Sequence, residues 1–158
     1  MEWKNMDNSE IGIDDIDEQI IKMLQENSRV TIADMAREIG ELTENAIRYR
    51  IDKLNEDGYI ANYTIRLNPR KFGKNITAIF NLNVLPENIT SALDYLKTID
   101  CITQIYLTTG DYSIIAIGYF ENNNTIREFI TNKLKKIEII NLDVITVLQR
   151  VKHGLFGI

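Results

Sequence analysis

The stretch "ELTENAIRYRIDKLNEDGYI", Glu41 to Ile60, decides how the chain is read. Ile47, Ile51 and Leu54 recur at helical spacing, Thr43 stands before them as an N-cap residue, and Gly58 follows as a stop. The implied helix turns Glu44, Asn45, Arg48 and Tyr49 to its other side, with Arg50 and Lys53 on the flanks. Taken alone, this face of acids, bases and an amide suits either plain solvation or entry into a DNA groove.

The preceding residues build a three-helix unit that suits either a DNA groove or a plain interaction module. "TIADMAREIG", Thr31 to Gly40, sets Thr31 three residues before Asp34 in the manner of a capping box, carries the stripe Ile32, Met35, Ala36, Ile39, and ends on a natural C-terminal glycine. Before it, "DDIDEQIIKMLQEN" spaces Ile16, Ile20, Met23 and Leu24 helically, with Asp14 or Asp15 as cap and acids in a first turn that suits the helix dipole. None of these short helices buries enough surface alone; three packed together do. A turn of about three residues, opening with Gly40, joins the second and third, which is the helix-turn-helix signature. In that motif the second helix of the pair enters the major groove by its N-terminal half. Asn45 and Arg48 are side-chain types that bond adenine and guanine bidentately, Glu44 could accept from cytosine, and Arg50 and Lys53 are placed to hold phosphates. After Gly58, "YIANYTIRL" alternates Tyr63, Ile65 and Leu67, which predicts a strand serving as a wing or leading out of the unit.

Composition narrows the function classes. A length of 158 residues suits one medium domain or two small ones, and 44% hydrophobic with 26% charged residues describes a soluble globular chain. No apolar run reaches the ~18 residues of a membrane span, and "MEWKNMDNSE" has no apolar core of a signal peptide. Cys101 is the single cysteine, so no internal disulfide forms and a reducing cytoplasm is expected. His153 is the single histidine, which leaves no Cys/His metal cluster and little room for nucleophilic hydrolysis. No metal and no cofactor is expected. The net charge is −5, yet Arg48 to Lys74 holds seven basic residues against three acids, a local +4. Local charge of that sign, rather than the total, governs docking on phosphate.

The second half alternates its periods. "ITAIFNLNV" is a strand with Ala78, Phe80, Leu82 and Val84 on one face, and "PENITSALDYLKTI" is a helix with Pro86 near its first turn. "CITQIYLTT" and "SIIAIGYF" form a hairpin through "GDY". "NNNTIREFITNKLKKI" reads as one helix capped by Asn123 or Asn124, and "IINLDVITVLQRVK" as a last long strand. The order β-α-β-β-α-β is the ferredoxin-like arrangement. Residues 114 to 120 are apolar on both faces, with Ile115, Ile117 and Tyr119 opposite Ile114, Ala116, Gly118 and Phe120. Two helices cover only one face of such a sheet, so a homodimer formed sheet on sheet is expected.

Three quoted segments carry a family resemblance. "DIDEQIIKMLQENSRVTIADMAREIG", "TENAIRYRIDKLNEDGYIANYTIRLNPRKFG" and "TTGDYSIIAI" resemble the leucine-responsive/asparagine-responsive (Lrp/AsnC, feast/famine) transcription regulators of archaeal type, over about Asp14 to Lys152. The resemblance implies a winged helix that reads DNA and a ferredoxin-like domain that dimerises, with dimers assembling into tetramers or octamers. It also implies an amino acid or similar effector near the hairpin. Carried over by position, Thr43, Glu44, Asn45, Arg48, Tyr49 and Arg50 fall on the recognition helix, with Lys53 beyond them, and Thr109, Gly110, Asp111, Tyr112 and Ser113 fall on the effector loop. Departures from the family pattern are the turn "GEL", one residue longer than in many members, Ser113 in place of an aspartate, and Leu142 and Val144 where threonine is frequent.

The expected protein is therefore α+β. It has a tail (1–12), a winged helix-turn-helix domain (13–62), a linker strand and turn (63–75) and a ferredoxin-like dimerisation and effector domain (76–158). The expected function is that of a cytoplasmic, sequence-specific regulator. Its partners are a palindromic promoter site in double-stranded DNA, other copies of itself, and the basal transcription machinery. Two alternatives share the architecture: an enzyme resembling the sirohaem decarboxylases, and a DNA-compacting architectural protein.

Overall fold

Three capped helices open the computed structural model, which describes residues 12–40 and 42–152. Helix α1 (Asp15–Glu26) starts at Asp14, whose carboxylate accepts from the Asp17 N–H at 2.9 Å while the Asp17 carboxylate accepts from the Asp14 N–H at 3.2 Å. Helix α2 (Ile32–Ile39) is capped by Thr31 and stops at Gly40, whose φ of 76° lies in the left-handed region glycine enters without strain. Helix α3 (Glu44–Glu56) is capped by Thr43, whose hydroxyl accepts from the Ala46 N–H at 3.2 Å. The apolar stripes meet in a small core of Ile13, Ile20, Met35, Ile47 and Leu54. Each such buried aliphatic side chain contributes about 1.5–3 kcal/mol.

The strand expected after α3 is not there. Residues 61–68 have no regular secondary structure, and Tyr63, Ile65 and Leu67 are exposed. The alternation is real, but a strand also needs a neighbour to take its backbone groups, and this segment has no ladder partner among the described residues. Among the described residues, no strand serves the helix-turn-helix as a wing.

The chain divides into two units; among the described residues the first runs to Ile65 and includes Lys152, and the second spans residues 66–151. The second opens with a 3₁₀ turn (Pro69–Phe72) and continues as strand β1 (Ile76–Val84), a 3₁₀ turn (Pro86–Asn88) running into α4 (Ile89–Lys97), β2 (Ile102–Leu107), β3 (Ile114–Phe120), α5 (Asn123–Asn132) and β4 (Ile139–Thr146). The strands form one antiparallel sheet in the order β2-β3-β1-β4, the ferredoxin-like topology. One face packs under the helices around Phe80, Phe120 and Phe129, whose ring centroids lie 4.9–5.6 Å apart in tilted contacts.

Two expected boundaries move. The cap of α5 is Asn122, not Asn123 or Asn124, because its side chain accepts from the Thr125 N–H and Thr125 returns the bond. The helix ends at Asn132, where the Thr131 hydroxyl takes the Arg127 carbonyl and the chain tightens into a 3₁₀ turn (Leu134–Lys136) that carries Leu134 and Ile137 into the core. Strand β4 is also shorter than expected. The Val147 N–H donates to the Thr77 carbonyl, β1 begins at Ile76, and among the described residues the β1–β4 ladder does not continue past it; Arg150 instead donates to the Tyr119 hydroxyl at 3.0 Å.

Gly118 on β3 sits under the turn that leads into β2. A Cβ there would lie 2.8 Å from the Cys101 carbonyl oxygen and 2.9 Å from the Phe120 ring. The obstacle is backbone, which yields little. Gly118→Ala should lower stability by about 1–3 kcal/mol, read as a fall in the urea midpoint; an unchanged midpoint would show that the β2 corner moves freely.

Candidate nucleic-acid interface

Helix α3 has two sides with different duties. Ile47 and Leu54 are fully buried and Ile51 partly so. Glu44, Asn45, Arg48, Tyr49, Asp52, Lys53 and Glu56 are exposed, Tyr49 at 70%. Thr43, spent on capping, is exposed at the helix start. The outward surface is graded along its length. Asn45, Arg48 and Tyr49 occupy the N-terminal half, whereas Asp52 and Glu56 follow them toward the C-terminus. With two carboxylates there against one, Glu44, at the start of the helix, the N-terminal half is the better suited to a groove walled by phosphates. The extra turn residue Glu41 lies outside the described residues, so the connection ahead of Thr43 is described only on either side of it.

Arg50 does not flank the DNA face as expected. Its Nη1 reaches the Asp14 carboxylate at 2.7 Å and the Asp17 carboxylate at 2.8 Å, and its side chain is only 26% exposed. The guanidinium is therefore a clamp between the start of α1 and the middle of α3. Hydrogen bonds from Arg50 to Asp17 and Asp14, opposed by partial burial, hold its proton still more firmly than usual. Partial burial pushes the Asp14 carboxyl up, but the Asp17 N–H and the Arg50 guanidinium outweigh it and keep the carboxyl below its ordinary value. Beside the clamp lies a groove of about 600 Å³ lined in part by Leu42, Ala46, Tyr49 and Lys53. Asp14, read from the sequence only as a candidate cap, and Asp17, one of the first-turn acids, thus tie the start of α1 to the middle of α3.

The hairpin between β2 and β3 was the other expected site. Thr109, Gly110 and Asp111 are exposed at its tip, with Gly110 at φ 112°, and Tyr112 and Ser113 are half-buried. The Thr108 hydroxyl donates to the Tyr112 carbonyl at 2.7 Å, and the Thr108 N–H donates to the Ser113 carbonyl at 2.9 Å, which closes the loop. Ser113 looks back into its own sheet. Its Oγ accepts from the Val84 N–H at 3.2 Å and donates to the Leu82 carbonyl at 3.4 Å, just past the last β1–β3 pair, Leu82 with Ile114. Leu142 and Val144 pack against the core, opposite Leu82 and Phe80 on β1.

Comparison with known proteins matches both units. Residues 13–55 match the AsnC-type helix-turn-helix domain and residues 77–155 the Lrp/AsnC ligand binding domain. The chain belongs to the Lrp/AsnC family of transcription regulators. Among curated relatives, the HTH-type transcriptional regulator LrpA of Pyrococcus horikoshii is 32% identical over 126 residues, covering 80% of this chain and 89% of that protein. The regulator Ptr1 of Methanocaldococcus jannaschii is 30% identical over 143 residues, covering 90% and 96%. Among solved structures, AsnC of E. coli superposes with a TM-score of 0.86 at 26% identity, covering 91% of this chain and 97% of that one. This Lrp/AsnC protein is accordingly a DNA-binding transcription regulator and not an enzyme, which removes the decarboxylase alternative.

Removing the clamp with Arg50→Met should lower the stability of the first unit by about 1–2 kcal/mol, between the ranges for exposed and buried ion pairs. The Asp14 carboxyl is depressed in the folded state, so its share of the stability is present above the unfolded-state pKa and lost as pH falls through the folded one. The gap between wild type and variant should therefore be constant near neutrality and close on acidification, as followed by thermal unfolding at stepped pH.

Proposed function

We propose that this regulator binds a palindromic promoter site as a homodimer whose sheets pack face to face, and that it acts in the cytoplasm. The observation that carries this reading is the bare face of the sheet. Core residues Ala78, Phe80, Leu82 and Val84 on β1, and Ile114, Ala116 and Phe120 on β3, all point to the helix side. On the other side, Gln104, Ile117, Ile79 and Ile145 form one row across all four strands, and Tyr106, Ile115, Asn81 and Asp143 form the next. No element of the second unit covers them, and Tyr106 and Ile145 stay 50% and 44% exposed. A second copy of the same row buries this surface at about 25 cal/mol per Å². The resulting two-fold relation supplies two recognition helices for two half-sites.

Asn45, Arg48 and Tyr49 then read base edges, with Glu44 at the groove wall and Lys53 on a phosphate. Assembly of dimers into tetramers or octamers brings hairpins together, and an amino acid or similar effector binds there against Thr109, Gly110, Asp111 and Tyr112. Supporting this is the description of the second unit's family model as a ligand binding domain. A neighbour sharing the fold, at 19% identity and a TM-score of 0.84, is a transcriptional regulator of Neisseria meningitidis in complex with L-Met. Ser113 takes no part in the grip, because its hydroxyl serves the β1 backbone. The basal transcription machinery is the further partner that regulation requires.

Ile117→Asp, a charge in the middle of the isoleucine row, should turn the dimer into a monomer in light scattering; a variant still dimeric would place the interface elsewhere. In DNA titrations, Arg48→Ala should relax preference at one base pair by about 1–3 kcal/mol. Lys53→Gln should instead weaken all sequences alike and lower the salt slope by about 0.9. A wild-type protein that ranks no duplex above another would replace the regulator reading with the DNA-compacting one.

A further inference from the structure

The unit that carries the recognition helix is poorly charged for its task. Residues 12–65 hold six basic side chains against twelve acidic ones, a net of −6. Several of the bases are engaged by acids: Arg50 by Asp14 and Asp17, Arg37 by Asp34, Lys22 by Glu18. On α3 itself, with Arg48 given to base edges, Lys53 is what is left for phosphate. A protein that holds DNA through backbone contacts needs several cations, because each neutralised phosphate releases bound counterions.

Immediately downstream the balance inverts. Residues 66–74 hold Arg66, Arg70, Lys71 and Lys74 and no acid. The turn that carries them is internally braced. The Asn68 side chain accepts from the Arg70 N–H at 3.1 Å, the Asn68 carbonyl accepts from the Lys71 N–H at 3.0 Å, and the Pro69 carbonyl accepts from the Lys74 N–H at 3.0 Å. Gly73, at φ 75°, closes it, and Lys74 is tied to Glu121 at 3.3 Å. Arg70 and Lys71 are exposed and have no ion-pair partner among the described residues, and the exposed Phe72 follows them. A 3₁₀ turn fans successive side chains about 120° apart, so the two cations spread rather than stack. Connectivity alone bounds their reach. Arg70 is twelve residues beyond Gly58, a span of at most about 40 Å when extended, comparable to the ~34 Å of one turn of B-DNA.

We propose that the braced turn at Asn68–Gly73 is a second DNA contact, with Arg70 and Lys71 holding the phosphodiester backbone beside the site that α3 reads. The inference rests on α3 being the groove helix and adds where the phosphate grip comes from. It divides the labour: α3 supplies sequence discrimination and little charge, and the turn supplies charge and no discrimination.

The test compares the full-length wild type with Arg70→Gln/Lys71→Gln. Each is titrated, over a series of KCl concentrations, against a duplex that the wild type selects from a randomised pool and against a scrambled duplex of the same length. The double variant should lose affinity for both by the same factor, about tenfold or more. The slope of log K against log [KCl] should shrink by about 1.8, or 0.9 per phosphate lost, with the ratio between duplexes unchanged. The charge-keeping swap Arg70→Lys/Lys71→Arg should keep the wild-type slope, and thermal unfolding checks that both variants are folded. An unchanged slope and affinity would overturn the proposal. So would an unchanged slope accompanied by a shift in oligomer size, which would assign the turn to the acidic surface of another copy. A wild type that selects no sequence would sink the recognition reading of α3, and the slope difference on random duplex would then still decide the role of the turn.

Discussion

A four-stranded sheet with two short helices has one face that it cannot cover by itself. Helices α4 and α5, of nine and ten residues, both lie on the side of Phe80, Leu82 and Ile114. The isoleucines at 79, 115, 117 and 145 thereby have no helix of the second unit over them. That constraint reaches well beyond the sheet. On the proposed reading a matching surface on a second copy is the cover, and the two-fold axis that self-complementarity would give would match a two-fold operator. The polar pair Asn81 and Asp143, 3.5 Å apart in the row next to the isoleucines, breaks the sameness of the patch and gives two copies a reason to meet in one register.

The first unit solves a different problem. Three helices of 12, 8 and 13 residues enclose a core of few side chains, too little to fix their angles by packing alone. The Arg50 clamp adds a directional constraint where packing is thin. Its planar guanidinium meets two carboxylates that are already ordered, because Asp14 and Asp17 cap each other's backbone. The capping box and the clamp are therefore one assembly. The angle at which α3 is presented depends on the first turn of α1, thirty-odd residues earlier in the chain.

Much of this was legible before any coordinates. The three caps, the stops at Gly40 and Gly58, and the β-α-β-β-α-β order rest on local signals, residue type and spacing, and these hold over one or two turns of chain. What was missed depends on residues distant in sequence. Nothing in "AIRYRID" says that Arg50 has Asp14 and Asp17 as partners rather than a phosphate, since the contact spans 36 and 33 positions. Tyr63, Ile65 and Leu67 alternate as a strand does, but a strand exists only where another chain segment takes its hydrogen bonds. The end of α5 was misread because Leu134 and Ile137 keep a helical spacing while reaching the core through a 3₁₀ turn. For the candidate site, the exposed set on α3 was readable from its buried stripe. The turning-in of Ser113 was not, because only the β1–β3 register shows that its hydroxyl lies beside Val84.

The negative charge of the first unit bears on how such a protein finds its target. A regulator must compete for its site against roughly 10⁶ or more other stretches of genomic DNA, and strongly cationic modules are held by all of them. With a net of −6 over residues 12–65, the unit is repelled by generic duplex, and on the proposed reading only base-edge contacts from Asn45, Arg48 and Tyr49 would compensate. Weak attachment to the wrong places shortens each futile stop, so the acids that weaken the grip also keep more of the protein free to search.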